Sequence, residues 1–259
     1  MAGDIAIAIE NGIATLRVRN PQRRNAISAA MWQSIAAFAQ SSSSRGDIRA
    51  VIIRGDGDLA FSAGADITGF NEARSGTANA KGYDDLVEDA CRAIEAMPQP
   101  AIAMIKGACM GAGASLAAAC DLRIAAQDAF FAVPAGRLGL GYDPRGIKRM
   151  LRVFAPLTAQ ILYTAQRISA RRLYEVGGVH AIAEEMDAEA LAMSFARTIA
   201  DNAPLTLKAI KASILALHAN DPALLDEAER LSAQADASND YAEGRAAFAE
   251  KRAPRFTGS

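Results

Sequence analysis

The segment Lys106–Asp121, KGACMGAGASLAAACD, sets glycines and small residues between two apolar runs. Before it, Ala101–Ile105 (AIAMI) is short, apolar and bounded by Pro100, which reads as a buried strand; after it, Ala112–Cys120 has the alanine content of a tightly packed helix. A strand, a glycine turn and a helix in that order let a ligand approach the backbone closely. They also present the unpaired amides of a helix N-terminus to developing negative charge. A second small-residue segment, Ala60–Ile67 (AFSAGADI), again follows a strand. A fold that joins the turns at Ala63–Asp66 and Gly111–Ala114 can aim two backbone amides at one oxygen, where each donor is worth about 3 to 4 kcal/mol of barrier. Glycines that serve packing alone explain the same residues, and the pattern by itself leaves both readings open.

The same stretch carries a competing chemistry. Gly107, Gly111 and Gly113 form GxxxGxG, the spacing of a nucleotide turn in short-chain dehydrogenase-like NAD enzymes. That turn lies mid-chain here, and no Tyr-x-x-x-Lys follows, because Gly146, Arg167, Gly178 and Arg245 stand four residues after Tyr142, Tyr163, Tyr174 and Tyr241.

Around these turns the elements alternate. Ile5–Ile9, Asn11-Gly12 and Ile13–Val18 spell a β-hairpin, and Ser28 caps an expected helix from Ala29 to about Ala39. Ser41–Asp47 reads as a loop, and Ile48–Gly55 as a strand whose β-branched centre is buried on both faces. Asn71–Tyr83 has no clear period and is expected to be a mobile surface segment able to act as a lid, with a helix over Asp84–Met97 stopped by Pro98 and Pro100. Short strands are expected at Asp121–Ala125 and Ala129–Val133, then a glycine-rich loop over Pro134–Gly146 and helices at Ile147–Phe154 and Leu157–Thr164. A turn and a last strand fall in Gly177–Ala183, and three helical stretches follow at Met186–Ala203, Leu205–Asn220 and Pro222–Ala237.

Composition narrows the partners. The 259 residues carry a net charge of −1 with both signs dispersed, which gives no electrostatic case for nucleic acid or an anionic membrane. Three cysteines without a CxxC pair, and only two histidines, argue against a metal cage or a disulfide framework and for a reducing, cytoplasmic setting. No targeting signal or membrane-length apolar run is visible.

NPQRRNAIS, FSAGADI, KGACMGAGASLAAACDLRIA, AVPAGRLGLG and EGRAAFAEKRAPRF, in that order from about Ile5 to Phe256, resemble the successive signatures of the enoyl-CoA hydratase/isomerase (crotonase) family. The resemblance implies an α/β fold, a spiral of ββα repeats over residues 1–195. It also implies a C-terminal helical subdomain, 196–259, that trimerises, giving a homotrimer or dimer of trimers. The substrate it implies is an acyl-CoA, with no cofactor beyond the CoA moiety. By position, the amides of Ala65 and Ala112 resemble the family's oxyanion donors, with Gly111 preceding the second. Arg24, Ala26, Ala63, Asp66 and Ile67 resemble positions along the CoA path, Pro134 and Leu138 resemble substrate-binding positions, and Phe248 and Lys251 resemble C-terminal residues that reach CoA, often from a neighbouring subunit.

The chain departs from the pattern where hydratases of this family carry two glutamates: Ser115 and Ala135 stand there. Ordinary hydration needs both carboxylates, each worth roughly a hundredfold to ten-thousandfold. Asp143, next to Tyr142 in the Gly-rich loop, is the candidate replacement carboxylate, and an Asp before Pro is also an ordinary turn residue. A non-catalytic acyl-CoA binder of the same fold is the alternative function.

Overall fold

The opening hairpin forms as its alternation and Asn-Gly turn dictate. In this computed structural model, which describes residues 3–66, 77–184 and 187–259, β1 (Asp4–Glu10) pairs antiparallel with β2 (Ile13–Arg19), and Asn11 and Gly12 both take positive φ between them. Ser28 then accepts from the Met31 amide and starts α1 (Ala29–Ser42), one turn longer than the sequence suggests, so the expected loop begins at Ser43. β3 (Ala50–Gly55) runs parallel to β2 and is buried along its whole length.

From there the chain winds as a spiral, each turn contributing one strand to a large sheet and one to a small sheet. β3 and β4 (Ala60–Ser62) are followed by α2 (Thr77–Ala96); β5 (Ala101–Ile105) and β6 (Ala108–Met110) by α3 (Ala112–Ala119). β7 (Leu122–Ala126) and β8 (Phe130–Ala132) lead through a 3-10 turn, Pro134–Leu138, to α4 (Pro144–Phe154). The six-stranded sheet has the order β1-β2-β3-β5-β7-β10, with β10 at Ala181–Ala183; the four-stranded sheet has β4-β6-β8-β9, with β9 at Ile168–Ser169. In chain order α5 (Thr158–Thr164) precedes β9 and α6 (Ala170–Glu175) lies between β9 and β10, and α7 (Ala188–Ala200), α8 (Pro204–Ala219), α9 (Pro222–Asp236) and α10 (Asn239–Glu250) complete the described chain. The mixed α/β spiral expected from the sequence is the observed fold.

Alternation in β3 and β5 builds two cores. Val51, Ile53, Ala103 and Ile105 face the helices of the spiral, whereas Ala50, Ile52, Ile102 and Met104 face α7 through Ala188, Ala192 and Ala196. The boundary expected at 195/196 therefore falls inside a helix that covers the large sheet, and the helical extension begins at α8.

Two other expectations change. The expected lid, Asn71–Tyr83, lies outside the described residues up to 76, but 77–83 are the first turns of α2. Buried Tyr83 anchors them by accepting from Trp32 Nε1 (3.1 Å) and donating to Ile27 O (3.2 Å), and Lys81 pairs with Asp85 one turn on at 2.6 Å, so tertiary contacts supply what periodicity lacks. The loop at Pro134–Gly146 is shortened from both ends, by the 3-10 turn and by α4. The start of the helical stretch at Met186 lies outside the described residues.

Candidate active site

The small sheet carries both glycine turns on neighbouring strands, because β4 pairs parallel with β6. After β4, Gly64 takes φ +107 and its amide donates to Ser62 Oγ at 3.1 Å. Ile27 bridges the next residue through Ile27 N to Gly64 O (2.8 Å) and Asp66 N to Ile27 O (2.9 Å). A parallel bridge of this kind uses the flanking groups and turns the Ala65 amide to the other side.

After β6, Gly111 adopts φ 50, ψ −117, a conformation that disfavours side chains, and α3 begins. The Ala114 and Ser115 amides close onto Gly111 O, so the Ala112 amide is one of the helix's orphan donors. The two turns abut: a Cβ built on Gly64 would stand 3.7 Å from the Ala112 nitrogen. Ala65, Ala112, Ala63, Gly64 and Gly111 all line one cavity of about 150 Å³, which is small beside typical ligand sites of roughly 300–1,000 Å³.

Three residues after Ala112 on the same face of α3, Ser115 is buried and opens onto this cavity. Its Oγ lies 3.0 Å from Tyr142 Oη, and Tyr142 also contacts Met150 Sδ at 3.6 Å. Burial pushes the Tyr142 phenol above its ordinary pKa, partly opposed by the Ser115 hydrogen bond. Ala135 and Pro134 form the wall at the start of the 3-10 turn, with Val87, Val133, Leu138 and Leu140 as further apolar lining. Leu138 is largely exposed and sits at the mouth.

Two carboxylates that line the cavity, Glu88 and Asp143, are engaged by arginine. Glu88 receives Arg149 at 3.0 Å; Arg149 Nε reaches Glu95 at 2.9 Å, and Arg152 also pairs with Glu95. Asp143, the carboxylate the sequence singles out, is the N-cap of α4: it accepts from the Arg145 amide (2.8 Å) and pairs with the Arg145 guanidinium (2.8 Å). The guanidinium holds its pKa below the usual carboxylate range. Asp143 before Pro144 is thus a cap with proline at the first helical position, a signal present in the sequence, while Tyr142 beside it carries the group that meets Ser115.

The remaining expected residues fall in three places. Arg24, at φ 49, accepts the Ala63 amide on its carbonyl oxygen (2.9 Å); Ala26 is buried next to it, and Asp66 is held by Arg23 at 2.7 Å and Asn20 at 3.5 Å, so these flank the first turn. Ile67 lies outside the described residues. Phe248, on α10, and Lys251, its C-cap in the left-handed region, are exposed and do not line the cavity within one chain.

Among the described residues, no group of three His, Cys, Asp or Glu side chains could hold a metal ion, and no helix is long and apolar enough to cross a membrane. The three cysteines are buried and unpaired, and burial pushes the Cys91 thiol up to about 12.

The family model described as enoyl-CoA hydratase/isomerase matches residues 8–259. A Mycobacterium tuberculosis protein named probable enoyl-CoA hydratase is 32% identical over 260 residues, covering 98% of this chain and 100% of the relative. The Escherichia coli methylmalonyl-CoA decarboxylase is 32% identical over 253 residues, covering 96% of this chain and 95% of the decarboxylase. The crystal structure of an enoyl-CoA hydratase/carnithine racemase from Magnetospirillum magneticum superposes with a TM-score of 0.91 at 35% identity, covering 98% of this chain and 96% of that one.

Proposed function

The chain belongs to the enoyl-CoA hydratase/isomerase family, and from that premise we propose that it binds an acyl-CoA and stabilises the enolate of its thioester by a reaction other than two-glutamate hydration. The observation that supports this reading is the junction of the two turns, where Ala65 and Ala112 line one cavity and a Cβ built on Gly64 would stand 3.7 Å from the Ala112 nitrogen. A thioester oxygen between those amides gains two preorganised donors as it becomes an enolate oxygen. The flank of the first turn, Arg24, Ala26, Ala63 and Asp66, supports a CoA path leading away from it. Exposed Phe248 and Lys251 suit a role in a homotrimer or dimer of trimers, where a second copy brings them to CoA.

Ser115 and Ala135 occupy the positions where ordinary hydration places its carboxylates, and Asp143 is committed to Arg145. Loss of CO₂ from C2 of a 2-carboxyacyl thioester makes the same enolate without a base, and the Escherichia coli relative is named for such a reaction. Apolar lining favours it further, since it raises the energy of a carboxylate relative to departing neutral CO₂. The test is a panel of aliphatic, branched, aromatic and 2-carboxyacyl-CoA thioesters, followed by mass spectrometry for retained ligand and product. Turnover of a 2-carboxyacyl member, with crotonyl-CoA hydration slow or absent, supports the reading. A crotonyl-CoA hydration rate equal to ordinary hydratases overturns it, and retention of several thioesters without product favours the non-catalytic binder.

A further inference from the structure

An enolate held at Ala65 and Ala112 still needs a proton at C2. C2 is one bond from the thioester carbon, so the donor must stand close to those amides. Ser115 lies three residues beyond Ala112, about 4.5 Å along the axis of α3, and helical side chains lean back toward the N-terminus. Its hydroxyl therefore tilts toward the amide end, and across it stands the phenol of Tyr142, 3.0 Å away. Four other groups at the cavity fit the task poorly. Glu88 and Asp143 are paired with Arg149 and Arg145, Ala135 has no proton to give, and Tyr83 spends its hydroxyl on Ile27 O.

We propose that Tyr142 is the catalytic proton donor to C2 of the thioester enolate, with Ser115 as the residue that positions it and steadies the phenolate it becomes. The inference rests on the enolate reading above. In the step, the Tyr142 O–H bond breaks and the enolate C=C pair forms the new C2–H bond. The charge formerly on the enolate oxygen passes to the phenolate. Ser115 Oγ donates to that phenolate, Arg149 lies close enough for its charge to favour it, and the proton returns from water as product leaves. A phenol raised above its usual pKa by burial stays protonated at neutral pH, which suits a donor to carbon and not a base that must first remove a C2 proton.

The experiment compares the wild-type chain with Tyr142→Phe, Ser115→Ala and Ser115→Thr in H₂O and D₂O. The substrate is methylmalonyl-CoA, or the panel thioester that wild type turns over fastest if it is another. Removing the donor is expected to cost roughly a hundredfold or more in kcat, with acyl-CoA retention in native mass spectrometry unchanged. It should also scramble the configuration at deuterated C2, because protonation then comes from water on either face. Ser115→Ala should lose less than Tyr142→Phe, and Ser115→Thr should recover part of the loss. Turnover by wild type with Tyr142→Phe equally fast and equally stereospecific overturns this inference and leaves the enolate reading standing. Thioester retained by wild type without any turnover overturns both, and a wild-type chain that retains no thioester overturns the binding premise itself. If Tyr142→Phe does not fold, Ser115→Ala decides: unchanged kcat and unchanged stereospecificity then overturn the proposal.

Discussion

Ser62 stands between the two turns: its Oγ receives the Gly64 amide at 3.1 Å, and its Cβ would lie 2.7 Å from a Cβ built on Gly113. The same built atom would meet Ser62 O at 2.9 Å, so any side chain at Gly113 must push α3 away from β4. That movement carries the Ala112 amide with it. Gly113→Ala is therefore expected to lower kcat/KM about a hundredfold, the usual cost of misplacing a catalytic group by about 1 Å, while far-ultraviolet circular dichroism stays native. A Gly113→Ala protein with the wild-type kcat/KM would remove the close approach from the account.

Gly64 makes the same argument through backbone conformation. At φ +107 a side chain is strained whatever space surrounds it, and an added Cβ would also stand 3.1 Å from Met110 O. Gly64→Ala should destabilise the fold by about 1–3 kcal/mol and abolish most turnover, because Ala65 can no longer present its amide. Denaturant melts and single-turnover assays read the two effects separately. Wild-type stability together with wild-type turnover would show that the turn tolerates an ordinary residue.

How far this was legible in the sequence depends on length scale. The hairpin, the both-face burial of Ala50–Gly55 and the alanine-rich helix after Gly111 follow from local periodicity, which alternating or β-branched runs make explicit. The small sheet does not: Ala60–Ser62, Ala108–Met110 and Phe130–Ala132 are three residues each, too short for any period, and exist because parallel neighbours complete their hydrogen bonds. Both glycine turns were visible as turns, yet their meeting is a property of that sheet. Asp143 drew attention as a carboxylate, whereas its Asp-Pro context specifies a cap. Tyr142 stands beside it in the sequence without a chemical signal of its own, because its partner, Ser115, is brought to it only when α4 packs against α3.

Arg149 is the centre of a buried charge cluster beneath the cavity, between Glu88 and Glu95. Both carboxylates are one-tenth exposed at their side chains, so deleting the guanidinium leaves charges that water reaches poorly. Arg149→Ala is expected to cost about 3–5 kcal/mol, the range for breaking a buried pair from one side. Arg152 still pairs with Glu95, whereas Glu88 keeps only a longer 3.5 Å contact with the exposed Arg92, which places the greater loss at Glu88. Adding Glu88→Gln to Arg149→Ala should recover part of the stability, and a double variant no more stable than the single one would refute that distribution.

His180 gives the chain a pH-dependent stability on its acid side. Its Nδ1 accepts the Arg123 amide at 3.1 Å, and the partial burial of a ring whose outer edge is exposed, followed by the Arg123 charge, pushes its pKa down to about 4. The unfolded imidazole titrates near ~6.5, so below that pH the unfolded chain binds a proton that the folded chain refuses. The contribution is complete above the unfolded value and is lost as pH falls from there toward the folded one. Urea midpoints measured from pH 7.5 to pH 4.5 should fall in wild type and fall less steeply in His180→Gln. Parallel slopes in the two proteins would assign the acid sensitivity elsewhere.

Lys211 fastens the helical extension to the spiral. From α8 its Nζ donates to Ile94 O and Gln99 O, both at 3.0 Å, and lies 2.8 Å from Asp121 Oδ2, so all three ammonium protons have acceptors. Asp121 in turn receives the Ala101 amide at 2.7 Å, which ties the contact to the start of β5, the strand that precedes β6 and its Gly111 turn. Lys211→Met keeps the length of the side chain and removes its charge, leaving two carbonyl oxygens and a carboxylate without their donor. Losing hydrogen bonds of this charged kind costs about 1.5–3 kcal/mol each, and relaxation with entering water reduces the sum. The expected result is a loss of several-fold or more in hydrogen-exchange protection concentrated in α8 and α9. The amides of β3 and β5 should change little, because α7 still covers the large sheet through Ala188, Ala192 and Ala196. Protection lost equally across both sheets would mean that the extension and the spiral unfold as one unit, and that Lys211 contributes to global stability instead of acting as a local fastening.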